Sequence, residues 1–213
     1  NLSIANERQA IINQLSFEIQ QGEFVSITGQ SGSGKSTVLK FLAQLNDPTL
    51  KVSGSYQLLG QDVNDYSPIE LRQIVSYFYQ TPSLFGDTVR DNLAFPYEIR
   101  HEEFDEQRAI EMLNNVDLSQ SFLDKNIKSL SGGERQRVAL IRNLMYPSKV
   151  LLLDEISSAL DFNTRQIIWS WLEKYRQEHG ATILMVSHLD EEHEMTERKI
   201  EIVKLAEGSD VNE

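Results

Sequence analysis

The sequence predicts an α/β fold built on a parallel sheet, and the prediction rests on an alternation, a loop and two buried runs. Strand-like stretches alternate with helical periods along the chain, the pattern of a sheet whose strands are joined through helices. A glycine-rich loop, Gly29-Gln30-Ser31-Gly32-Ser33-Gly34-Lys35-Ser36-Thr37, joins the β-branched run at 24–28 to a helical pattern over 37–45. Residues 150–153 and 181–187 are nearly continuous apolar runs, as expected of strands covered on both faces.

Taken in order, 15–19, 24–28 and 53–59 read as strands, the last closed by a turn at Gly60. A helix is expected over 69–76, entered through Ser67-Pro68, since proline suits the first helical turn. Phe104, Ala109, Met112, Leu113 and Val116 recur at helical spacing and predict a helix over 101–116. After the strand at 150–153, residues 164–179 read as a helix with Ile167, Ile168, Trp171, Leu172 and Tyr175 inward, stopped by Gly180. The strand at 181–187 follows.

At 213 residues, with 40% hydrophobic and 24% charged residues, the chain is expected to form one globular domain with two lobes. No apolar run approaches the ~20 residues that span a bilayer, and no secretory or transit segment is read at the start. Cysteine is absent, which removes disulfide and thiolate chemistry and suits a reducing compartment. The net charge of −12 argues against nucleic acid or anionic lipid as the main partner. Acidic residues gather at 191–201 and in the last residues, read as solvated faces and a tail. There is no internal repeat or low-complexity linker.

The loop matches G-x-x-x-x-G-K-[ST] through Gly29, Gly34, Lys35 and Ser36, in the strand-to-helix context the motif requires. Glycines let successive backbone N–H groups point at one place, and the helix N-terminus adds its dipole and free donors, so the loop is a phosphate cradle. Lys35 is expected to neutralise β- and γ-phosphates, and the Ser36 hydroxyl to ligate Mg²⁺. Asp154 and Glu155 end the 150–153 strand. Ligands in α/β sheets sit beyond the carboxyl ends of strands, so both acids should face the loop. Asp154 is placed to hold Mg²⁺, and Glu155 to orient or deprotonate an attacking water.

A second anion-directed element is Leu130-Ser131-Gly132-Gly133-Glu134-Arg135-Gln136-Arg137. Ser131 and Glu134 form a capping box, which explains those two residues but not Gly132 and Gly133. A glycine costs a helix about 1 kcal/mol relative to alanine, so the pair implies a close backbone approach at a helix N-terminus.

The run LSGGERQRVAL, 130–140, resembles the signature motif of ABC-type ATPases, and the other motifs of that family follow in order. Gln80 resembles the glutamine of the Q-loop, Ser158-Ala159-Leu160-Asp161 the D-loop, and His188 the switch histidine that contacts the γ-phosphate. The resemblance covers nearly the whole chain. It implies a P-loop NTPase (RecA-like) core, an N-terminal antiparallel β subdomain and an inserted helical subdomain. The core and β subdomain would be 1–80 and 147–213, and the helical subdomain 81–146. It also implies ATP and Mg²⁺ as cofactors, with Ser36, Gln80 and Asp154 at the metal and Glu155, His188, Lys35 and Gln80 serving catalysis. Two copies would pair head to tail, each ATP lying between one copy's phosphate loop and the other's Ser131-Gly132-Gly133. One departure stands out: family members carry an aromatic residue upstream of the phosphate loop to stack on adenine, and Asn6 takes that position here. A missing stack is worth about 1–3 kcal/mol of base contact.

Among ABC proteins, repair enzymes carry a long coiled-coil insertion and translation factors carry tandem domains and basic surfaces, neither of which this chain has. A transporter subunit is therefore expected, on the cytoplasmic face of the membrane and bound to a separate transmembrane permease, with no nucleic acid. The alternative is a soluble, non-transport ABC ATPase. The segment Phe85-Gly86-Asp87-Thr88-Val89-Arg90-Asp91-Asn92 is typical of exporter ATPases, and with Phe95-Pro96 it resembles the bacterial Fet-type ATPases, for which iron export is proposed. The four histidines, His101, His179, His188 and His193, have no metal-site spacing.

Overall fold

Five parallel strands carry the architecture of this computed structural model, which describes residues 1–158 and 160–205. In chain order the elements are β1 (Leu2–Ala5), β2 (Ala10–Leu15), β3 (Phe24–Thr28), α1 (Lys35–Leu42), β4 (Lys51–Ser53), β5 (Gln57–Leu58), β6 (Gln61–Asp62), α2 (Pro68–Ile74), β7 (Val75–Phe78), α3 (Val89–Glu98), α4 (Glu106–Asn115), α5 (Gly132–Asn143), β8 (Val150–Asp154), α6 (Phe162–His179), β9 (Thr182–Val186), α7 (Asp190–His193) and β10 (Arg198–Glu201). The main sheet runs β10-β3-β9-β8-β7, every pair parallel. A small antiparallel sheet, β2-β1-β4, and the hairpin β5-β6 complete the strands.

Alternation along the central strands divides the core in two. Leu151, Leu153, Ile183 and Met185 face the side covered by α3, α5 and α6, with Leu93, Leu140, Ile141, Ile168 and Leu172. Leu152, Leu184, Val186 and Ile27 face the other way, onto Val38, Leu39 and Leu42 of α1 and Ile4 and Ile12 of the small sheet. Both faces are covered, which is why these strands read as unbroken apolar runs. Burying each such side chain stabilises the fold by about 1.5–3 kcal/mol.

Several element boundaries differ from expectation. Residues 16–20 are not a strand; β2 ends at Leu15, where it pairs with Leu2 of β1. The stretch 53–59 breaks into β4 and β5 around Gly54, whose φ of 119° a β-carbon could not follow beside the Asn1 carbonyl. The helix expected over 69–76 stops at Ile74, because Val75–Phe78 pairs with β8 and sheet pairing overrides helical propensity. The helix expected over 101–116 begins only at Glu106, capped by Asp105. Gly180 does end α6, in the left-handed conformation at φ 59°. The acidic tail beyond residue 205 and Ala159 of the D-loop lie outside the described residues.

Candidate functional site

The sheet order decides where the chemistry gathers. Neighbouring parallel strands present their carboxyl ends side by side. β3 runs into the phosphate loop, β9 into His188, β8 into Asp154-Glu155 and β7 into Gln80.

The loop is shaped from within the chain. Gly29 has φ 140°, and a β-carbon there would lie 2.3 Å from the Ile202 carbonyl oxygen; Gly34 has φ 96° and presses on Ile11 and Ile12. Gly34 also caps α1 in the left-handed conformation, leaving the first N–H groups of the helix directed at the loop. Lys35 is buried, and its ammonium donates to the Gly29 carbonyl at 2.9 Å and the Gln30 carbonyl at 3.1 Å, arching the loop around it. The Ser33 hydroxyl is 2% exposed and has no hydrogen-bond partner among the described residues. Gln30, Ser31 and Gly32 are exposed, and Thr37 lies in the first turn of α1.

Two carboxylates close the site from β8. Asp154 is buried and accepts from the Ser36 hydroxyl at 2.7 Å through Oδ1 and from the Tyr77 hydroxyl at 2.5 Å through Oδ2. Burial first, and the Asp154 bond second, push the Tyr77 phenol far above its ordinary range, so it remains a proton donor. Glu155 stands in a left-handed conformation, φ 52°, which costs a non-glycine residue about 1 kcal/mol or more. Its backbone N–H donates to the Val186 carbonyl at 3.0 Å, fixing the turn to β9. The Glu155 side chain is bracketed: Gln80 Nε2 donates to Oε2 at 2.8 Å, and His188 Nε2 lies 2.8 Å from Oε1.

A pocket of about 400 Å³ joins these groups, lined among others by Asn6, Gly32, Lys35, Ser36, Glu155, His188 and Lys204. Among the described residues, no Phe, Tyr or Trp lines it. Asn6 spends its side-chain oxygen on the backbone N–H groups of Arg8 and Gln9, at 2.8 and 2.9 Å. Lys204 was not legible as a site residue. It lies far along the chain and enters only because β10 pairs with β3, bringing its ammonium 3.9 Å from where a Gly32 β-carbon would stand. Tyr77 was equally hidden, being one aromatic within an apolar strand.

The residues 131–133 do not line this pocket. The capping box is present, with Glu134 N–H donating to the Ser131 hydroxyl at 3.2 Å and Ser131 N–H to the Glu134 carboxylate at 2.7 Å. Gly133 lies beside α6, where a β-carbon would meet Thr164 at 3.4 Å, an ordinary packing distance, so its own chain does not demand glycine there. Gly132 is exposed, and a β-carbon there would meet nothing within 4 Å.

A phosphate loop, a hydroxyl–carboxylate pair and a bracketed glutamate on adjacent strand ends form a nucleotide-hydrolysing arrangement, and the comparisons identify which. The ABC transporter family profile matches residues 12–158. The chain belongs to the ABC transporter family. It is 48% identical over 178 residues to the Probable iron export ATP-binding protein FetA of Escherichia coli (strain K12), covering 84% of this chain and 78% of that one. An Arabidopsis thaliana relative, ABC transporter I family member 17, is 36% identical over 185 residues, 87% of this chain and 69% of that protein. Among solved structures, the dimeric post-hydrolysis state of the ATP-binding cassette MJ0796 bound to ADP and Pi superposes with a TM-score of 0.79, at 29% identity, over 95% of this chain and 94% of that one. A bacterial Atm1-family ABC exporter with ATP bound superposes with a TM-score of 0.80 at 26% identity, over 96% of this chain but 38% of the exporter. This ABC protein is thus an ATP-binding ATPase subunit homologous to exporter ATPases, and its α/β fold is that of the ABC ATPases. No described helix is long and apolar enough to cross a membrane.

Proposed function

We propose that this ABC ATPase is the motor of an exporter. Two copies close head to tail around ATP, and the closure is passed to a separate transmembrane permease at the cytoplasmic face of the membrane. The observation that carries this reading is the Glu155 carboxylate, held between Gln80 and His188 beside the phosphate loop. A carboxylate on water's approach to a terminal phosphate is the group needed to orient or deprotonate that water. Each of its oxygens is engaged once and keeps a second lone pair that can accept a proton. Both partners are exposed, and Gln80 also heads the segment 81–88 that leaves β7, so a movement of that segment would reach Glu155 through it.

The remaining roles follow the chemistry of each group. Lys35 turns from the loop carbonyls to the β- and γ-phosphates, cradled by the N–H groups of 29–37. His188 contacts the γ-phosphate. Ser36 and Asp154 are hard oxygen donors in contact, and they suit Mg²⁺, which shields phosphate charge when bound; Gln80 would join them. Ser131, Gly132 and Gly133 complete the partner's site, since Ser131 and Gly132 are exposed, Gly133 is half-buried and none of them lines their own chain's pocket.

The permease would dock in a groove of about 480 Å³ lined by Tyr79, Pro82, Phe85, Phe95 and Ile99 among others. Phe85 and Phe95 stack edge-on at 4.7 Å while each stays 39% exposed, and Ile99 is 57% exposed. Arg142 of α5 ties the segment down through the Ser83 carbonyl at 2.7 Å. Of the other apolar residues, Leu84 and Val89 pack into the core instead. This divides the chain into a core over 1–80 and 147–213 and a helical lobe over 81–146, hinged where Gln80 meets Glu155. Iron as the exported cargo follows from the likeness to FetA alone.

The decisive experiment is Glu155→Gln. It keeps the shape and the Gln80 and His188 neighbours but cannot take a proton. Binding of ATP should persist while turnover falls by about 10²-fold or more, within the range of general-base catalysis. Size-exclusion chromatography with ATP should show a dimer that does not decay. Full hydrolysis by the variant would remove Glu155 from the mechanism.

A further inference from the structure

We infer that Tyr77 is a positioning residue for the metal: its hydroxyl fixes one oxygen of Asp154 so that the other stays with Ser36. The inference rests on reading Asp154 as a metal-holding carboxylate, and it goes beyond every residue the sequence motifs select.

Two observations place Tyr77 in this role. The bond to Asp154 Oδ2 is 2.5 Å long, between two residues that are 7% and 8% exposed. Oδ1 is the oxygen that receives the Ser36 hydroxyl, at 2.7 Å. The carboxylate therefore has one oxygen for the phosphate loop and one for β7, and cannot rotate without breaking a buried bond. A carboxylate with a free rotation would offer the metal a moving ligand. Buried charged oxygens without partners are also unfavourable, so Tyr77 removes a penalty as it fixes the angle.

The register of the sheet explains why the hydroxyl reaches. Tyr77 lies opposite Leu152 of β8, two residues before Asp154, and its ring extends toward the carboxyl end. Tyr79 packs edge-on against the ring at 4.7 Å, and the Tyr77 backbone carbonyl accepts from Asn143 at the end of α5 at 3.3 Å. Tyr79 holds the ring, and Asn143 holds the backbone that carries it. Supporting residues that orient a metal ligand typically change metal affinity by about 10–100-fold when removed.

The test is Tyr77→Phe, which deletes one oxygen and leaves the ring. Mn²⁺ binding to the ATP-loaded protein, followed by electron paramagnetic resonance, should weaken by about tenfold, the lower end of that range. The Mg²⁺ concentration for half-maximal hydrolysis should rise by the same factor. ATP binding in EDTA should be unchanged, which a general loss of structure would not allow. In an Asp154→Asn background, Tyr77→Phe should add nothing further to the metal dependence, because the two act as one unit.

If Tyr77→Phe alone lost metal-free ATP binding, recovery in the double variant would support the assignment, and continued loss would overturn it. An unchanged Mn²⁺ affinity in Tyr77→Phe, with Asp154→Asn impaired, would overturn the role of Tyr77 alone. Unchanged metal dependence in Asp154→Asn would overturn the reading of Asp154 itself.

Discussion

The phosphate loop and the signature segment at 131–133 are both glycine-rich and both precede a helix, yet they differ in what surrounds them. In the loop, Gly29 and Gly34 are demanded by neighbours in the same chain, a carbonyl of Ile202 and the side chains of Ile11 and Ile12. In the signature segment neither glycine has such a neighbour: a β-carbon on Gly133 would rest on Thr164 at an ordinary 3.4 Å, and one on Gly132 would face open space on the surface. The first region is explained from inside the molecule. The second is not, and its two glycines stand at the N-terminus of a helix, where an anion is favoured. A residue that its own chain does not constrain, in a motif its family carries, points to a constraint from outside.

The largest expected effect tests that contrast directly. Gly29→Ala should cost on the order of 3 kcal/mol of stability, because a backbone carbonyl stands where the methyl must go. Gly132→Ala should leave stability unchanged or raise it by up to about 1 kcal/mol, as alanine suits a helix better. Thermal unfolding separates the two. The same Gly132→Ala protein should bind ATP normally and fail to form the ATP-held dimer on size exclusion. If it dimerises and hydrolyses like the unmodified chain, nothing outside constrains Gly132 and the comparison loses its meaning.

A smaller effect sharpens the other externally facing region. Phe85→Ala removes an exposed ring whose stacking on Phe95 contributes about 0.5–1.5 kcal/mol within the chain. The fold should therefore survive with a slightly lower melting temperature and intact ATP binding. Co-purification with a membrane protein from detergent-solubilised native membranes should be lost. Retained co-purification would put the docking surface elsewhere.

How legible each region was follows from the same distinction. The phosphate loop is short-range chemistry, Gly29 to Thr37 being contiguous, and Asp154 and Glu155 gain meaning by ending an apolar run beside it; Gln80 and His188 were singled out only through the resemblance to ABC ATPases. The central strands were legible because burial on both faces leaves no alternation to misread. What failed were elements fixed by long-range pairing. Val75 and Ser76 continue a helical pattern locally, yet pairing with β8 makes them a strand. The strand expected over 15–19 was displaced because β1, four residues long, selects Ala10–Leu15 as its partner. Tyr77 and Lys204 belong to the same class: each acts on residues far away in sequence, through sheet neighbours that no local pattern reveals.

The smallest expected effect concerns the base, where the loop's self-sufficiency has a limit. Among the described residues, the pocket holds two lysines, Lys35 and Lys204, and no Phe, Tyr or Trp. Phosphates are common to all nucleotides, so a site that grips through them distinguishes bases poorly. Asn6 stands at the position of the adenine stack, and its oxygen is already committed to Arg8 and Gln9 N–H groups. ATP and GTP should therefore bind within about tenfold of each other, roughly 1.4 kcal/mol. Asn6→Tyr gives up the two turn bonds, which lie in an exposed segment, and adds a ring against which a base can stack. Stacking is worth about 1–3 kcal/mol per base, and loss of the local turn offsets part of it. The net result should be ATP bound up to about tenfold more tightly by titration calorimetry. GTP should gain similarly, because every base has a stacking face. A strong adenine preference in the unmodified chain, undisturbed by Asn6→Tyr, would mean that a group outside this pocket reads the base.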